Sequence, residues 1–575
     1  MVAVARRQRC VSGGRLRLRF CMATFKRLTM SLHVSVKRLS KRDDDINAAV
    51  HLSSCLVRSF SQGLKGIGPD SLMPNRPKME EKRIAIVGAG ISGLLACKHA
   101  TENGLTPTIF EARDGVVGGV WSETIASTRL QTPKNHYSFS DFPWPDSVLD
   151  YIVSYAVRYN ILPQTRFNSK VVSIHYQPAN EEKAAVSCNG KWSVVVQNLK
   201  HPENPNDVYE FDFVVLCIGK FSGVPRIPRF DMNKGPEVFD GKAIHSMDYA
   251  AMGNFRAAEF IKNKRVTVVG FQKSAVDIAT EIARLNGTRF PCTLLHRTVH
   301  WTVPEAFVKL LFTNLNRFSE FLIHKPQESF FIWLLAVLAS PLLWVFSKAV
   351  ESYLKWIYPL KKHNMVPDHG FLEQISSCKF TVLPADFYSK VEEGSILLKR
   401  SRTFSFCKTG LILQDDDDDA SPLETDVVIF ATGYESDEKL CSIFASNHFK
   451  NRITGSSAPL YRGCIDPHIP QLAILGYSES PAILHTTEMQ SKWLAHFLAG
   501  RFGLPKVSEM EEDSRRWEKC LQKYAGRHYK RACASVLLQI HCNDQLCKDM
   551  NCNPRRKNGF FSEMFCPYSP VDYRI

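Results

Sequence analysis

The sequence predicts an α/β protein with two β-α-β units, the second of which is inserted into the first. The apolar run Ile84–Val87 ends in glycines and is followed by a helical pattern and a second apolar run, Thr106–Phe110. The same order of elements returns from Arg265 onwards. Two further apolar runs, Phe213–Gly219 and Val427–Gly433, both follow an aspartate and end in glycine. Apolar strands joined by helices indicate parallel sheets with both faces buried, so we predict two dinucleotide-binding (Rossmann-like) domains.

The length and composition are those of a globular protein with more than one domain. A single hydrophobic core rarely serves more than about 300 residues, and this chain has 575. Hydrophobic residues make up 44% and charged residues 23%, which excludes wholesale disorder and fibrous repeats. The net charge of +16 would suit nucleic acid or an anionic membrane, but residues 1–78 alone hold 16 basic and 4 acidic residues. Because the rest of the chain carries a net charge of only +4, we expect no nucleic-acid partner.

Residues 1–78 are predicted to be a basic and disordered N-terminal extension. Residues 1–42 hold 12 basic residues and no acidic ones, which is typical of an organelle transit peptide. The acidic run Asp43–Asp45 and the missing helical periodicity favour the alternative, in which a leader precedes a protein that starts at Met79. We therefore predict a cytoplasmic protein, with a plastid or mitochondrion as the alternative. The 17 cysteines are scattered, which favours a reducing compartment.

The first glycine motif is a fingerprint for a bound dinucleotide. It consists of Gly88, Ala89, Gly90, Ile91, Ser92 and Gly93. Gly88 permits the tight turn, Gly90 lets a pyrophosphate approach the backbone, and Gly93 lets the helix pack closely on the sheet. The N-terminus of that helix then faces the phosphates. Glu111 ends the next predicted strand, where a carboxylate accepts hydrogen bonds from ribose hydroxyls.

A second glycine turn indicates which dinucleotide binds there. Gly118 and Gly119 come shortly after the ribose-binding carboxylate and are followed by Val120 and Trp121. A glycine pair before tryptophan suits a backbone that lies close against a flat, extended cofactor. Beside the first motif this turn indicates FAD, with Gly119 and Trp121 among the residues that bind it.

The second β-α-β unit carries a modified version of the motif. It consists of Gly270, Phe271, Gln272, Lys273, Ser274 and Ala275. Ala275 still allows close packing of helix on strand, whereas Gln272 adds a side chain where the phosphate should approach. The nucleotide therefore binds with a shifted turn, or Lys273 supplies charge to the phosphates.

Arg297 identifies the second nucleotide. It lies just past the strand that follows the second motif, at the place that Glu111 occupies in the first unit. An acid there favours a free ribose hydroxyl, and an arginine accommodates a 2′-phosphate. We therefore predict NADPH rather than NADH, bound by the six residues of the second motif together with Arg297. The alternative for Arg297 is a plain surface charge.

A third motif resembles a known family. Residues Phe239–Tyr249 match the pattern FxGxxxHxxxY, which is the fingerprint of flavin-containing monooxygenases. Together with the segments already described, the resemblance covers nearly all of residues 79–575. The further matching segments are GKFSGVP (219–225), HRTVHW (296–301) and FATGY (430–434). The chain is most similar to the plant branch and to its defence-associated clade, on the segments SFSDFPWP (138–145), ESYLKW (351–356) and NDQLCKDM (543–550).

The resemblance implies a domain organisation and a reaction. The FAD-binding domain would consist of residues 79–225 and 376–575, and the NADPH-binding domain of residues 226–375 with an apolar helical insertion near 305–360. The enzyme implied is an NADPH-dependent monooxygenase of the N,N-dimethylaniline monooxygenase type. It inserts one oxygen atom of O2 into a soft nucleophile, an amine nitrogen or a sulfur, through a C4a-hydroperoxyflavin. N-hydroxylation in plant defence is the implied role, with S-oxygenation or an auxin-pathway reaction as the alternatives.

Gln131 is the candidate for a catalytic side chain. Many members of the family place an asparagine before the DFP motif, near the flavin, and counting back from Asp141 puts Gln131 at that position. Glutamine keeps the amide donor and acceptor but is one methylene longer. We expect the role of holding oxygen or the oxygenated flavin to be retained, while the kind of substrate tolerated is left open.

The apolar segment 330–346 is short for a membrane span and contains Pro341. A span would also place the apolar runs Phe213–Gly219 and Val427–Gly433 on opposite sides of a bilayer. We therefore predict a buried or substrate-covering helix pair, with shallow membrane contact as the alternative. The expected partners are a small amine or thioether, O2 and at most a peripheral membrane surface.

Other classes of function remain open. A dithiol flavoprotein reductase shares the two-nucleotide plan but needs a close cysteine pair beside the flavin, and the chain contains no CxxC motif. An NADPH oxidase that releases peroxide fits the same motifs and differs in its product. A zinc site at His541, Cys542, Cys547 and Cys552 is disfavoured because structural zinc sites prefer tighter CxxC pairs, so no metal is expected.

Overall fold

The computed structural model describes most of the chain after the N-terminal extension. The described residues are 82–115, 117–125, 127–142, 147–178, 190–414, 422–480, 482–531, 533 and 536–574. The predicted extension, residues 1–78, lies outside them. Residues Glu81–Ile575 form one compact unit.

The strands and helices are numbered here in chain order. The strands are β1 (Arg83–Val87), β2 (Thr106–Phe110), β3 (Thr165–Arg166), β4 (Ser169–Gln177), β5 (Lys191–Asn198), β6 (Asp207–Phe211), β7 (Phe213–Leu216), β8 (Lys242–His245), β9 (Val266–Val269), β10 (Cys292–His296), β11 (Thr302–Val303), β12 (Thr381–Val382), β13 (Ile396–Arg400), β14 (Phe404–Cys407), β15 (Gly410–Leu413), β16 (Leu423–Glu424), β17 (Val427–Phe430) and β18 (Leu472–Ile474). The helices are α1 (Ile91–Glu102), α2 (Val148–Arg158), α3 (Ser246–Ala251), α4 (Asn254–Ile261), α5 (Lys273–Asn286), α6 (Glu305–Thr313), α7 (Arg317–Phe321), α8 (Phe330–Ile357), α9 (Phe371–Ser376), α10 (Phe387–Glu392), α11 (Ser436–Ile443), α12 (Asn447–Gly455), α13 (Ile483–Leu498), α14 (Val507–Ala525), α15 (Gln539–Asp549) and α16 (Phe560–Phe565).

Two parallel five-stranded sheets form the framework. The first has the order β18-β7-β1-β2-β3 and the second the order β13-β10-β9-β17-β8, and every neighbouring pair in both runs parallel. All five strands of the second sheet lie between β7 and β18 in the sequence. The predicted fold class, two Rossmann-like units with the second inserted into the first, is therefore confirmed. Two antiparallel three-stranded sheets are inserted between strands of this framework. The sheet β4-β5-β6 lies between β3 and β7 in the sequence, and the sheet β14-β15-β16 lies between β13 and β17.

The strand pairing corrects the predicted end of the inserted segment at residue 375. Strand β13 pairs with β10, and β17 lies between β9 and β8 in the second sheet. The chain therefore returns to the first sheet only after Phe430. The sequence misplaced the boundary because β17 is the same kind of apolar run as β7, and nothing in its composition says which sheet it joins.

The apolar segment 330–346 forms the first part of α8, a single helix of 28 residues. The helix continues through Pro341 because the Oγ of Ser340 donates to the carbonyl of Val337 at 2.8 Å, the oxygen that the missing proline N–H would have bonded. Only 11% of its most apolar stretch is buried. The prediction of a buried or substrate-covering helix pair is therefore wrong. Apolar composition alone does not distinguish a helix inside a core from one that lies on a surface.

Candidate active site

The first glycine of each motif lies against the end of a neighbouring strand. Gly88 has a φ of +103°, and a Cβ atom added to it would lie 2.6 Å from the carbonyl oxygen of Cys217. Gly270 has a φ of +136°, and its added Cβ would lie 2.5 Å from the carbonyl oxygen of Ala431. Side chains are disfavoured at such φ values, and both contacts are too short for a carbon atom. The two apolar runs that end in glycine are thus the walls against which the two motif turns fold.

Helix α1 starts directly at the first motif turn. Gly90 is its N-cap residue with an extended backbone, and a Cβ added there would make an ordinary contact of 3.6 Å with Gly119 Cα. A Cβ on Gly93 would instead lie 1.9 Å from the carbonyl oxygen of Gly88. Glycine at position 93 is therefore required by the protein itself. At position 90 there is space for a Cβ atom. This space lies in front of the free N–H groups of the helix N-terminus, which attract phosphate.

The carboxylate of Glu111 is held by two backbone N–H groups. Ala89 N donates to its Oε2 at 2.7 Å, and Arg113 N donates to its Oε1 at 2.9 Å. A carboxylate oxygen accepts two hydrogen bonds, so each oxygen keeps one acceptor position. The half-buried Glu111 is thus fixed in place and still able to accept from the hydroxyls of a ribose.

The glycine–tryptophan turn is tied to the first motif. Gly118 N donates to the carbonyl of Ala89 at 3.1 Å, and the guanidinium of Arg113 donates to the carbonyl of Gly119 at 2.9 Å. Trp121 packs edge-on against Tyr137 with ring centroids 5.9 Å apart. The fold therefore brings the predicted FAD residues of both turns together, and they form one continuous surface.

A cavity of about 1130 Å³ opens along this wall. From the predicted FAD set it is lined by Gly88, Gly90, Ile91, Ser92, Glu111, Gly119 and Trp121. Ala89 and Gly93 are buried behind them. Six Lys or Arg side chains and two Glu side chains line it, and its volume lies above the usual 300–1000 Å³ of ligand pockets. The volume, the glycine turns and the positively charged lining fit an extended, anionic dinucleotide such as FAD.

Lys439 lies in this first cavity, although the sequence pattern did not single it out. Its Nζ donates to the carbonyl of Ile218 at 2.5 Å and to the Oγ of Ser222 at 2.8 Å. Burial lowers the pKa of Lys439 to about 8, although the nearby Glu111 favours its charged form. It lies on α11, far from the motif in sequence, so only the fold reveals it.

The second motif keeps the shape of the first despite its departures. Gln272 is the N-cap residue of α5 with an extended backbone (φ −112°, ψ −173°), a conformation open to any residue. Its side chain is exposed. Ala275 is fully buried beneath the turn. Lys273 is salt-bridged to Asp277 on the next helical turn at 2.6 Å, and burial raises the pKa of that aspartate to about 6. The charge of Lys273 is thus largely balanced within the protein.

A second cavity of about 1210 Å³ opens beyond this motif. It is lined by Gly270, Phe271, Gln272, Lys273, Ser274 and Arg297. Ten Lys or Arg side chains line it against four Asp or Glu. Arg297 is exposed, and its guanidinium makes no hydrogen bond or ion pair with any residue that the structure describes. A phosphorylated nucleotide such as NADPH fits this excess of positive charge, and the guanidinium is available to its 2′-phosphate.

The two cavities meet at a set of residues that we call the junction. The junction residues, which line both cavities, are Gln131, Lys220, Phe221, Lys273, Cys378, Phe380, Tyr477 and Glu479. Gln131, the predicted catalytic residue, is therefore placed between the two nucleotide cavities. Its Oε1 accepts from the backbone N–H of Val382 at 3.0 Å. This contact assigns the orientation of the amide and leaves its NH2 group as a donor for a ligand.

Lys220 and Glu479 form a buried ion pair in the junction. Their charged atoms are 2.5 Å apart, and each side chain is only 12% exposed. Lys220 belongs to the segment GKFSGVP, which marks the family resemblance, but its spacing gave no reason to assign it a role. Its partner lies 259 residues further on, so the pair is visible only in the fold.

The structure also contains a disulfide that the sequence did not indicate. Cys378 and Cys533 are 155 residues apart, and their Cα atoms lie 5.8 Å from each other. The missing CxxC motif therefore does not mean that a close cysteine pair is missing. Within the described residues no group of three His, Cys, Asp or Glu side chains is arranged to hold a metal ion.

The fingerprint histidine has a structural role. His245 is buried, its Nδ1 accepts from the backbone N–H of Met247 at 3.1 Å, and its Nε2 therefore donates to the carbonyl of Gly433 at 3.0 Å. Burial lowers its pKa, which keeps the ring neutral. The fingerprint thus holds the turn after β17 in place beside the second cavity.

Comparison with known proteins supports the class of enzyme that these two cavities define. Residues 81–574 match the family model described as flavin-binding monooxygenase-like. The chain is 38% identical to the probable flavin-containing monooxygenase 1 of Arabidopsis thaliana over 87% of this chain and 98% of that protein. It is 34% identical to the putative flavin-containing monooxygenase 2 of the same plant, over 82% and 98%. The solved structure of OTEMO in complex with FAD and NADP has a similar fold, with a TM-score of 0.58 at 16% identity, over 82% of this chain and 99% of that one.

The chain belongs to the flavin-binding monooxygenase-like family. The predictions of a flavin-containing monooxygenase and of a bound flavin are therefore confirmed. The second cavity fits NADPH by its excess of positive charge. The roles of the individual site residues remain predictions, which the following variants test.

Gly90→Glu should abolish FAD binding without unfolding the protein. A Cβ is tolerated at this position, so the loss comes from the added carboxylate before the helix N-terminus. About 1.4 kcal/mol of repulsion already lowers affinity tenfold, so the purified variant should carry roughly a tenth or less of the wild-type FAD. The ratio of flavin to protein absorbance measures this. Gly503→Glu is the matched control, because nothing lies within 4 Å of a Cβ there. A yellow Gly90 variant would contradict the assignment.

Arg297→Ala should weaken the use of NADPH and spare that of NADH. A hydrogen bond to a charged group is worth about 1.5–3 kcal/mol, so kcat/KM for NADPH should fall roughly 10- to 100-fold. Steady-state kinetics with both nucleotides measure the ratio. Arg256→Ala removes an exposed arginine outside the cavity and should change neither value. Equal losses of kcat/KM for NADPH and NADH would contradict the proposal that Arg297 binds the 2′-phosphate.

Proposed function

We propose that this protein uses NADPH and O2 to insert one oxygen atom into a soft nucleophile that lies at the junction. The observation that carries the proposal is the meeting of the two nucleotide cavities at Gln131. When bound, FAD supplies the redox chemistry, since it accepts a hydride from NADPH and activates O2. The protein contributes binding, orientation and exclusion of water.

Gln131 is proposed to hold an oxygen atom at the reacting centre. Its carbonyl is held by Val382, so the side chain does not rotate freely and its NH2 group is presented as a donor. A donor fixed before the reaction acts without reorganisation during it. Because glutamine is longer than the asparagine of many relatives, the donor reaches further from the backbone, which would change the room left for a substrate.

The buried ion pair is proposed to close the junction to solvent. Lys220 and Glu479 are held together at 2.5 Å, and the Lys220 ammonium also lies 5.1 Å from the centroid of the Tyr477 ring. Phe380 adds an apolar side chain to the same wall. Exclusion of water from this region favours oxygen transfer to the substrate over the release of peroxide.

The proposed substrate is an amine, and the proposed product is its N-hydroxylated form. The resemblance to the defence-associated plant clade supports nitrogen, and S-oxygenation of a thioether is the alternative. The experiment supplies the holoenzyme with NADPH, ¹⁸O2 and a panel of primary amines, cyclic amino acids and thioethers. Mass spectrometry should find one ¹⁸O per molecule on the nitrogen of an amine. Peroxide equal to the NADPH consumed with every compound would instead identify an NADPH oxidase.

Gln131→Leu should uncouple NADPH consumption from oxygen transfer. Loss of one preorganised donor typically costs roughly 10²-fold in the rate of the step that it assists, so product formation should fall by about that factor. NADPH consumption should continue and peroxide should rise to match it. Product and peroxide are measured in the same reaction.

The control for this variant is Gln522→Leu, which changes an exposed glutamine outside both cavities. Gln131→Asn tests the length of the side chain, since it keeps the amide and shortens its reach. An unchanged ratio of product to peroxide in Gln131→Leu would remove the catalytic role.

Helix α8 is proposed to make peripheral contact with a membrane, on the cytoplasmic side. One stripe of the helix packs on the protein, with Ala336, Val350 and Leu354 buried. The remainder exposes large apolar side chains, including Phe331 at 76% and Trp344 at 63%. The helices before and after it, α7 and α9, belong to the same compact unit, which supports a helix that lies on a bilayer rather than one that crosses it.

Charge supports an anionic lipid surface as the partner of α8. Lys348 and Lys355 are exposed residues in the second half of the helix, and Lys348 also pairs with Glu351 at 2.8 Å. Trp333 and Trp356 add exposed aromatic rings that favour the membrane interface. The net charge that the sequence concentrates in residues 1–78 is not needed for this contact.

Trp344→Ser combined with Phe331→Ser should weaken binding to vesicles. Co-sedimentation with phosphatidylcholine vesicles that contain phosphatidylserine measures the bound fraction. Each large apolar side chain contributes about 1.5–3 kcal/mol when buried, so the double variant should lose roughly 100-fold or more in affinity. Phe255→Ser is the control, because that side chain is 80% exposed on α4. No binding by the wild-type protein would overturn the proposal.

A further inference from the structure

The Cys378–Cys533 disulfide lies at the junction, although the proposed oxygen transfer does not use it. Cys378 lines both nucleotide cavities and is half-buried. Cys533 is 2% exposed. Cys378 therefore lies in the wall of both nucleotide cavities, whereas Cys533 lines neither of them and borders a separate, smaller cavity.

Cys378 lies close in sequence to the residue that orients the predicted catalytic amide. Phe380, two residues after Cys378, also lines both cavities. Strand β12 follows at once, and Val382 within it donates the hydrogen bond that orients Gln131. A shift of Cys378 would therefore move Val382 and, through its hydrogen bond, the side chain of Gln131.

Cys533 contacts the segment that carries the buried ion pair. Cys533 forms an isolated parallel β-bridge with Glu479, whose carboxylate pairs with Lys220. The disulfide is thus a covalent link between the wall that orients Gln131 and the wall that carries the ion pair. Both walls belong to the junction.

The surroundings of the disulfide are positively charged. Lys379 follows Cys378, and its Nζ lies 2.8 Å from Nδ1 of His528. Burial lowers the pKa of Lys379, and the charges of Lys530 and Arg527 lower it further. A positive field of this kind stabilises a thiolate, whether it attacks the disulfide or leaves it.

We infer that Cys378–Cys533 is a thiol–disulfide exchange site that controls the shape of the junction, and that its substrate is a small dithiol. A thiolate of the dithiol attacks the sulfur of Cys378 and forms a mixed disulfide, while Cys533 leaves as a thiolate and takes up a proton. The second thiol of the reagent then attacks its own bonded sulfur and forms a cyclic disulfide, and Cys378 leaves and is protonated. The dithiol loses two electrons and two protons, and the protein disulfide gains them.

Reduction would loosen the wall that carries Gln131. Cys378 has a left-handed backbone with a φ of +57°, which is disfavoured for a residue with a side chain. The covalent link holds this conformation against its tendency to relax. Once the link is cut, residues 378–382 are free to shift, and with them the hydrogen bond to Gln131. The site lies beyond the proposed oxygenation, and its test does not depend on product formation.

The experiment equilibrates the FAD-loaded protein with mixtures of reduced and oxidised dithiothreitol. At each ratio the free thiols are alkylated and located by mass spectrometry, and the affinity for NADP⁺ is measured by calorimetry. Cys378 and Cys533 should become alkylated together, over one range of ratios. The Kd for NADP⁺ should rise roughly fivefold over the same range, the factor that corresponds to about 1 kcal/mol.

Two variants separate this site from other cysteines. Cys378→Ser should show the weaker NADP⁺ affinity of the reduced protein at every ratio. Cys566→Ser changes an exposed free cysteine and should keep the full response of the wild type. If Cys378→Ser fails to fold, the wild-type titration decides alone. Full alkylation of both cysteines in the oxidised buffer, or complete reduction without a change in NADP⁺ affinity, would overturn the proposal. Neither outcome depends on whether an amine is oxygenated.

Discussion

The structure depends on the close approach of two glycine turns to the strands beside them. Gly88 lies so near the carbonyl of Cys217, and Gly270 so near that of Ala431, that no side chain fits at either position. Each turn is therefore pressed against the end of a parallel strand, and each directs a helix N-terminus into a cavity. The same constraint, used twice, produces two nucleotide cavities of similar size in one compact unit.

Placement of the second unit within the first brings the two cavities together. The chain leaves the first sheet after β7, builds the second sheet and returns at β18. The returning chain supplies Glu479 and Cys533, and the inserted segment supplies Cys378 and Phe380. The junction is therefore assembled from segments that are far apart in sequence, and its ion pair and disulfide hold these segments in register. In the proposed function, this arrangement brings the electron donor, the flavin and the substrate to one side chain, Gln131.

The features that the sequence predicted well are those that local rules determine. Glycine spacing, the acid at position 111 and the apolar runs were sufficient for the two β-α-β units, because each signal lies within about 30 residues of chain. The features that were missed depend on long-range pairing. Strand β17 joins the second sheet by pairing with β8 and β9, which lie about 160 or more residues earlier in the chain, and His245 at the end of β8 bonds the turn at Gly433. The exposed face of α8 was missed for a different reason. An apolar helix has the same sequence pattern whether it lies inside a core or on a surface.

A structure of the protein with FAD and NADP⁺ bound would test the central claim most directly. The flavin ring should lie in the first cavity and the nicotinamide ring in the second, and both should lie within about 4.5 Å of the Gln131 side chain, the distance of a direct contact. The amide NH2 of Gln131 should point towards them, with its carbonyl still bonded to Val382. A flavin ring that lies away from the junction, or a nicotinamide that does not reach it, would contradict the account.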